Sequence, residues 1–169
     1  PQDALIISDH GHGLTGVAWD YRENRDNISV QEELRSALLT SGSVDVIYSH
    51  TCLTANMEFI WELRGLADFY VASESISFST DHDYIATIGL YTTASDLAVS
   101  MAESYYSFRN RGYTPSTVSV INMAYLDEMF VATNALALAI QEAPLAVKID
   151  IWNLLDHTVL QRFHERGSI

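Results

Sequence analysis

Short runs of consecutive apolar residues, separated by polar turns and amphipathic stretches, recur along the chain. Ala4-Leu5-Ile6-Ile7-Ser8 reads as a buried strand that closes at Asp9, and residues 13 to 28 after it are polar and turn-rich. Ser29 is placed to cap a helix from about 30 to 40, with Glu32 three positions on as in a capping box. A Ser-Gly-Ser turn leads into the strand Asp45-Val46-Ile47-Tyr48-Ser49, and a helix from about 55 to 66 then carries Ile60, Leu63 and Ala67 on one face. Asp68 to Ser73 is the next strand, and Glu74 to Asp83 is a loop. A helix follows from about 94 to 108. Val118 to Ile121 reads as a fourth strand. Residues 123 to 142 form a long alanine- and leucine-rich helix, continued by another around Ile151 to Phe163. Strands joined through helices predict an α/β fold whose parallel sheet is covered on both faces.

Composition narrows this picture. At 169 residues and 48% hydrophobic content the chain can bury one core, and no linker or repeat divides it, so one domain over 1–169 is expected. With 9 Lys and Arg against 22 Asp and Glu, the net charge of −13 repels a nucleic-acid backbone and attracts a cationic peptide. Cys52 is the single cysteine, so the fold does not depend on an internal disulfide. No apolar stretch is expected to span a membrane, and the amino terminus lacks a signal-peptide pattern. A soluble protein is expected from this, and a cytoplasmic and a secreted location fit it equally. The opening Pro1-Gln2, one step before a strand, is what an excised or processed piece would show.

Chemistry concentrates at the ends of the first two strands. Gly11-His12-Gly13-Leu14-Thr15-Gly16 has the G-x-G-x-x-G spacing, but Val17 to Asn27 shows no helical period that could offer an amino terminus to a pyrophosphate. His10-x-His12 and His50-x-Cys52 supply four candidate zinc ligands. Alternate residues on an extended strand face opposite sides, so a turn at each strand end is needed to gather them. A third reading takes Cys52, just ahead of the helix at 55, as a nucleophile whose thiolate the helix dipole favours, with His10 as its base. Gly11, lacking a side chain, would let its backbone N–H join that of Cys52 at a developing oxyanion. The competing reading of a lone cysteine is a small buried hydrophobe.

The flanking residues favour the nucleophile. Ile6-Ile7-Ser8-Asp9-His10-Gly11, Gly16-Val17-Ala18-Trp19-Asp20, Glu33-Leu34-Arg35-Ser36-Ala37-Leu38 and Cys52-Leu53-Thr54-Ala55-Asn56-Met57-Glu58 occur in that order. Glu62-Leu63-Arg64, Ala67-Asp68, Val71-Ala72-Ser73-Glu74, Thr117 to Asn122 and Ile149-Asp150-Ile151 follow. In order and spacing the chain resembles the clostripain-like cysteine peptidases, which share the caspase-type fold with caspases, legumains and gingipains. The resemblance implies a three-layer α/β/α sandwich with a mostly parallel central sheet. It further implies an endopeptidase with His10 and Cys52 as the catalytic dyad, a peptide or protein substrate, and no required cofactor.

Two departures carry weight. The family's acidic residue two positions before the cysteine, which helps to select arginine or lysine, is His50 here, and an imidazole does not attract a cation as a carboxylate does. Asp81 and Asp83 are the substrate-binding candidates that would compensate. The family's catalytic domains also begin with a further strand and continue into later regions, so the chain reads as a fragment of one. Relatives made as zymogens are cut in the loop after the histidine, where this chain has Arg22 and Arg25. An activating or regulatory protein partner is compatible with such processing, and calcium, needed by some relatives, stays open. The rival reading is a catalytically inactive caspase-fold regulatory or binding subunit. His12 reads as a solvent-exposed turn residue, with a supporting place near the dyad as the alternative; His157 and His164 read as surface or packing residues, and Trp61, Trp152 and the Tyr105-Tyr106 pair as core or interface packing.

Overall fold

Four strands form one sheet in the order β1-β2-β3-β4 in the computed structural model, which describes residues 3–19, 27–77, 92–109 and 117–157. β1 (Ala4–Ser8), β2 (Val44–His50) and β3 (Ala67–Ala72) are parallel, and β4 (Ser119–Asn122) runs antiparallel to β3. Each strand lies where its apolar run places it.

Right-handedness, the rule for crossovers between parallel strands, leaves the helices of two successive crossovers between neighbouring strands on one face of the sheet. α1 (Arg35–Ser41) and α2 (Met57–Glu62) make those crossovers, and Arg35 ties them by donating to the Glu62 carbonyl at 2.5 Å. On that side Phe59 packs over the Tyr70 ring, with centroids 6.1 Å apart. The strand period of two turns Val46, Tyr48 and Val71 to the other face, where Leu97, Ala98 and Met101 of α3 (Ala94–Arg109) cover them. The result is the three-layer α/β/α sandwich with a mostly parallel sheet. Tyr48, Tyr70 and Phe59 are essentially fully buried, and each such side chain contributes about 2–3 kcal/mol of transfer free energy.

The first helix opens differently from its capping-box pattern. Ser29 Oγ does accept from Glu32 N at 3.3 Å, but the carboxylate that reaches back to Ser29 N, at 2.8 Å, belongs to Glu33. A wide π-type turn over Val30–Leu34 shifts the reciprocal partner by one residue before α1 begins.

The chain divides into two compact units, Pro1–Ala124 and Tyr125–Ile169. The second holds α4 (Leu126–Glu142) and α5 (Leu145–His157). α5 starts earlier than the expected Ile151, because Pro144 cannot continue a helix yet can open one. Its carbonyl accepts the first helical bond, from Lys148 N at 3.1 Å. Residues 158–169, which include His164 and the expected end of this helix, lie outside the described residues.

The expectation that no apolar stretch reaches membrane-spanning length needs correction. Met123–Glu142 is long and apolar enough by length and composition, with a mean hydropathy of 1.3 and little of it buried. Of its acidic residues, Asp127 and Glu128 sit in the first turn of α4 and Glu142 ends it, so residues 129–141 between them run without charge. Val131, Leu136 and Leu138 of α4 are exposed, as are Leu145, Trp152 and Leu154 of α5, so Trp152 is not a core residue here.

Candidate active site

The parallel register of β1 and β2 sets Ser8 beside His50. Adjacent strands lie about 4.8 Å apart, so the two residues beyond each strand bring His10 alongside Cys52. Gly11 confirms how closely the strand ends meet. A Cβ at that position would lie 2.3 Å from the Cys52 carbonyl oxygen and 2.9 Å from its nitrogen.

After Gly11 the chain turns back on itself. Gly13–Thr15 form a single 3-10 turn, and Val17 bridges to both Gly11 and Ile28. No helix opens at Gly16, which has φ of 128° and is pressed against Ile28, so the glycine spacing serves a tight fold-back and no pyrophosphate cradle. His12 is exposed, with its ring 4.8 Å from that of Trp19.

Ser8, Asp9, His10, His50, Cys52 and Ser77 line a cavity of about 250 Å³. His10 is at its exposed rim, its backbone N–H donating to Asp9 Oδ1 at 2.6 Å and its carbonyl accepting from Ala18 at 3.0 Å. Cys52 is half-buried. Its thiol donates to the Ser77 carbonyl at 3.4 Å, and its sulfur accepts from the Ser77 N–H at 3.3 Å. One residue's main chain therefore meets the sulfur as a thiol and as a thiolate. Extended pairing of Leu53 N with Ser75 O and of Ala55 N with Ser73 O, both 3.0 Å, holds the Ser77 strip against the cysteine turn. Ser77 Oγ donates to the Tyr105 hydroxyl at 3.3 Å, which anchors the strip to α3.

This geometry replaces one sequence expectation. α2 begins at Met57, capped by Asn56 Oδ1, which accepts from Phe59 N at 2.9 Å. Cys52 is thus several residues ahead of the helix, beyond the single turn over which a helix dipole acts. The donor aimed at its sulfur is the Ser77 N–H, which no spacing pattern signalled.

His50 is buried beside the nucleophile. Its ring stacks on Tyr48 with centroids 5.8 Å apart and meets the Tyr105 edge at 5.4 Å. Its Nδ1 is 3.4 Å from Ser8 Oγ. Behind the turn, Ser49, Thr51 and Thr54 are buried, and Thr54 O accepts from the Tyr70 hydroxyl at 3.3 Å. Burial pushes the Tyr70 phenol far above its usual range, against the smaller opposing effect of its bonds to Thr54 and Ser49.

Asp81, Asp83, Arg22 and Arg25 lie outside the described residues. Among the described residues, no group of three or more His, Cys, Asp or Glu is arranged to hold a metal ion.

A sequence model of the clostripain family matches residues 2–165. Among solved structures, the chain is similar to a secreted C11 cysteine protease from Bacteroides thetaiotaomicron in complex with an irreversible peptide inhibitor. Identity is 21% and the TM-score 0.66 over 77% of this chain and 42% of that one. It is also similar to an inactive zymogen C11 protease from Parabacteroides distasonis, at 24% identity and a TM-score of 0.58 over 75% of this chain and 36% of that one. The chain thus spans less than half the length of either protein. No curated sequence matches it.

Proposed function

Because the chain belongs to the clostripain family of cysteine peptidases, we propose that it is the catalytic part of an endopeptidase in which Cys52 and His10 act as a dyad. The observation that carries this reading is the shared cavity: the register beside Ser8 and His50 delivers both side chains to one opening. The whole of 1–169 is read as one caspase-like catalytic domain within a larger protein.

In the proposed reaction His10 takes the thiol proton as Cys52 attacks the scissile carbonyl, and the tetrahedral intermediate forms with its oxyanion facing the backbone N–H groups of Gly11 and Cys52. His10 then gives that proton to the leaving amine, and the acyl group stays on Cys52 as a thioester. Water, deprotonated by His10, attacks the thioester, and the expelled thiolate recovers the proton. The Ser77 N–H supports the thiolate while His10 holds the proton.

His50 on the cavity wall sets the selectivity of the site. A buried imidazole between two tyrosine rings offers a basic side chain no counter-charge, so cleavage after arginine or lysine depends on Asp81 or Asp83. Arg22 and Arg25 remain the proposed processing points of a zymogen, with an activating protein partner and calcium as the open requirements. The test is a panel of fluorogenic peptides differing only in the residue before the scissile bond. His50→Asp is expected to raise the preference for arginine over alanine by about tenfold or more, the worth of one charge-assisted contact. An unchanged preference removes His50 from the specificity pocket. Cleavage of no peptide, by the processed and the unprocessed protein alike, favours the regulatory or binding subunit.

A further inference from the structure

We propose that Ser49, Thr51 and Thr54 are positioning residues for the nucleophile, acting as a closed ring of hydroxyls behind the turn that carries Cys52. This rests on the dyad reading above.

The strand period puts Tyr48, His50 and Cys52 on one side and Ser49 and Thr51 on the other. Ser49 Oγ is 2.7 Å from Thr51 Oγ1, Thr51 Oγ1 is 2.9 Å from Thr54 Oγ1, and Thr54 Oγ1 donates to Ser49 Oγ at 3.2 Å. All three residues are at most 1% exposed. Each hydroxyl has one proton to give and lone pairs to receive, so three of them can close a ring in which every member donates once and accepts once. The ring joins the last part of β2 to the far side of the turn, and His50 and Cys52 lie within the closed segment.

Packing alone does not require these oxygens, since valine has the shape of threonine and buries without a desolvation cost. What the oxygens add is directional: three hydrogen bonds fix the path of the main chain from 49 to 54, including Leu53 at a φ of +62°. Tyr70 extends the brace from β3 by donating to the Thr54 carbonyl. The sulfur is thereby held at the Ser77 amide, and the Cys52 N–H at Gly11.

The prediction separates kcat from KM. In the full-length protein, Thr51→Val leaves Ser49 and Thr54 bonded to each other, so folding persists while the turn loses its central tie. Its kcat is expected to fall about 10–100-fold with KM within about threefold, the scale of a nucleophile displaced by a fraction of an ångström to one ångström. Thr51→Ser restores the hydroxyl and is expected to stay within about threefold of wild type in both constants. Wild-type kcat in Thr51→Val, or equal losses in Thr51→Val and Thr51→Ser, overturns the proposal. Should Thr51→Val fail to fold, Ser49→Ala is read by the same kcat and KM criterion. Cys52→Ala, run alongside, keeps the two levels apart. Cleavage surviving in Cys52→Ala defeats the dyad itself, whereas cleavage lost there but untouched in Thr51→Val defeats only the ring.

Discussion

Peptide hydrolysis by Cys52→Ala is expected to fall by about 10⁴-fold or more, to the level of uncatalysed cleavage plus any contaminant. The size follows from the role: without the sulfur no thioester forms, and the donors at Gly11, Cys52 and Ser77 have no covalent intermediate to stabilise. The fold should survive, because Cys52 is half-buried and its side chain bonds only main-chain atoms of Ser77 among its described partners. Stability is expected to change by less than about 1 kcal/mol, as measured by urea unfolding. Activity in the variant comparable to wild type would remove Cys52 from the reaction.

Gly11→Ala is expected to be nearly as damaging by a different route. The added Cβ would lie 2.3 Å from the Cys52 carbonyl oxygen, 2.8 Å from Thr51 Cβ and 2.9 Å from the Cys52 nitrogen. Two of these are main-chain atoms, so no rotamer change relieves the overlap, and β1 and the cysteine turn must move apart. A loss of about 1–3 kcal/mol in stability is expected from such overpacking. The same displacement separates His10 from Cys52 and both from the oxyanion, so kcat should fall by about 100-fold or more. Unfolding midpoint and kcat measured on one preparation separate the two effects. A variant with wild-type values of both would show that the strand ends are not in the contact described.

The strands were legible because each is an apolar run bounded by polar turns, and the sheet places β1 to β4 where those runs lie. The antiparallel direction of β4 was not legible, since direction is decided by the connection after β3 and leaves no mark on four residues such as Ser119-Val120-Ile121-Asn122. Likewise the start of α5 follows from Pro144, a stop signal for α4 that also opens the next helix. The apolar length of Met123–Glu142 was underestimated because its acidic residues, Asp127, Glu128 and Glu142, lie towards its ends and leave residues 129–141 without charge.

At the site, His10, Gly11, His50 and Cys52 were named from strand ends and from family likeness, and His10, His50 and Cys52 line one cavity with Gly11 against the cysteine main chain. The helix-dipole argument for Cys52 did not survive. Propensity marks the region from Ala55 as helical, but Asn56 caps the helix and delays its first turn. Ser77 was invisible because it contributes main-chain atoms, which any residue type carries. Ser49 and Thr51 did leave a signal, as small hydroxyl residues alternating with Tyr48, His50 and Cys52 after the apolar run Val46-Ile47, with Thr54 three positions beyond Thr51. Read as buried positions, they require partners, and the only ones that the spacing supplies are each other.

The dyad itself is tested most directly by the rate at which iodoacetamide alkylates Cys52 at pH 7 in the native protein, in His10→Ala, and in urea. Native Cys52 is expected to react faster than the same thiol in the unfolded chain, and His10→Ala is expected to slow it by about tenfold or more. A native thiol slower than the unfolded one and indifferent to His10→Ala would make Cys52 a packing residue and contradict the account.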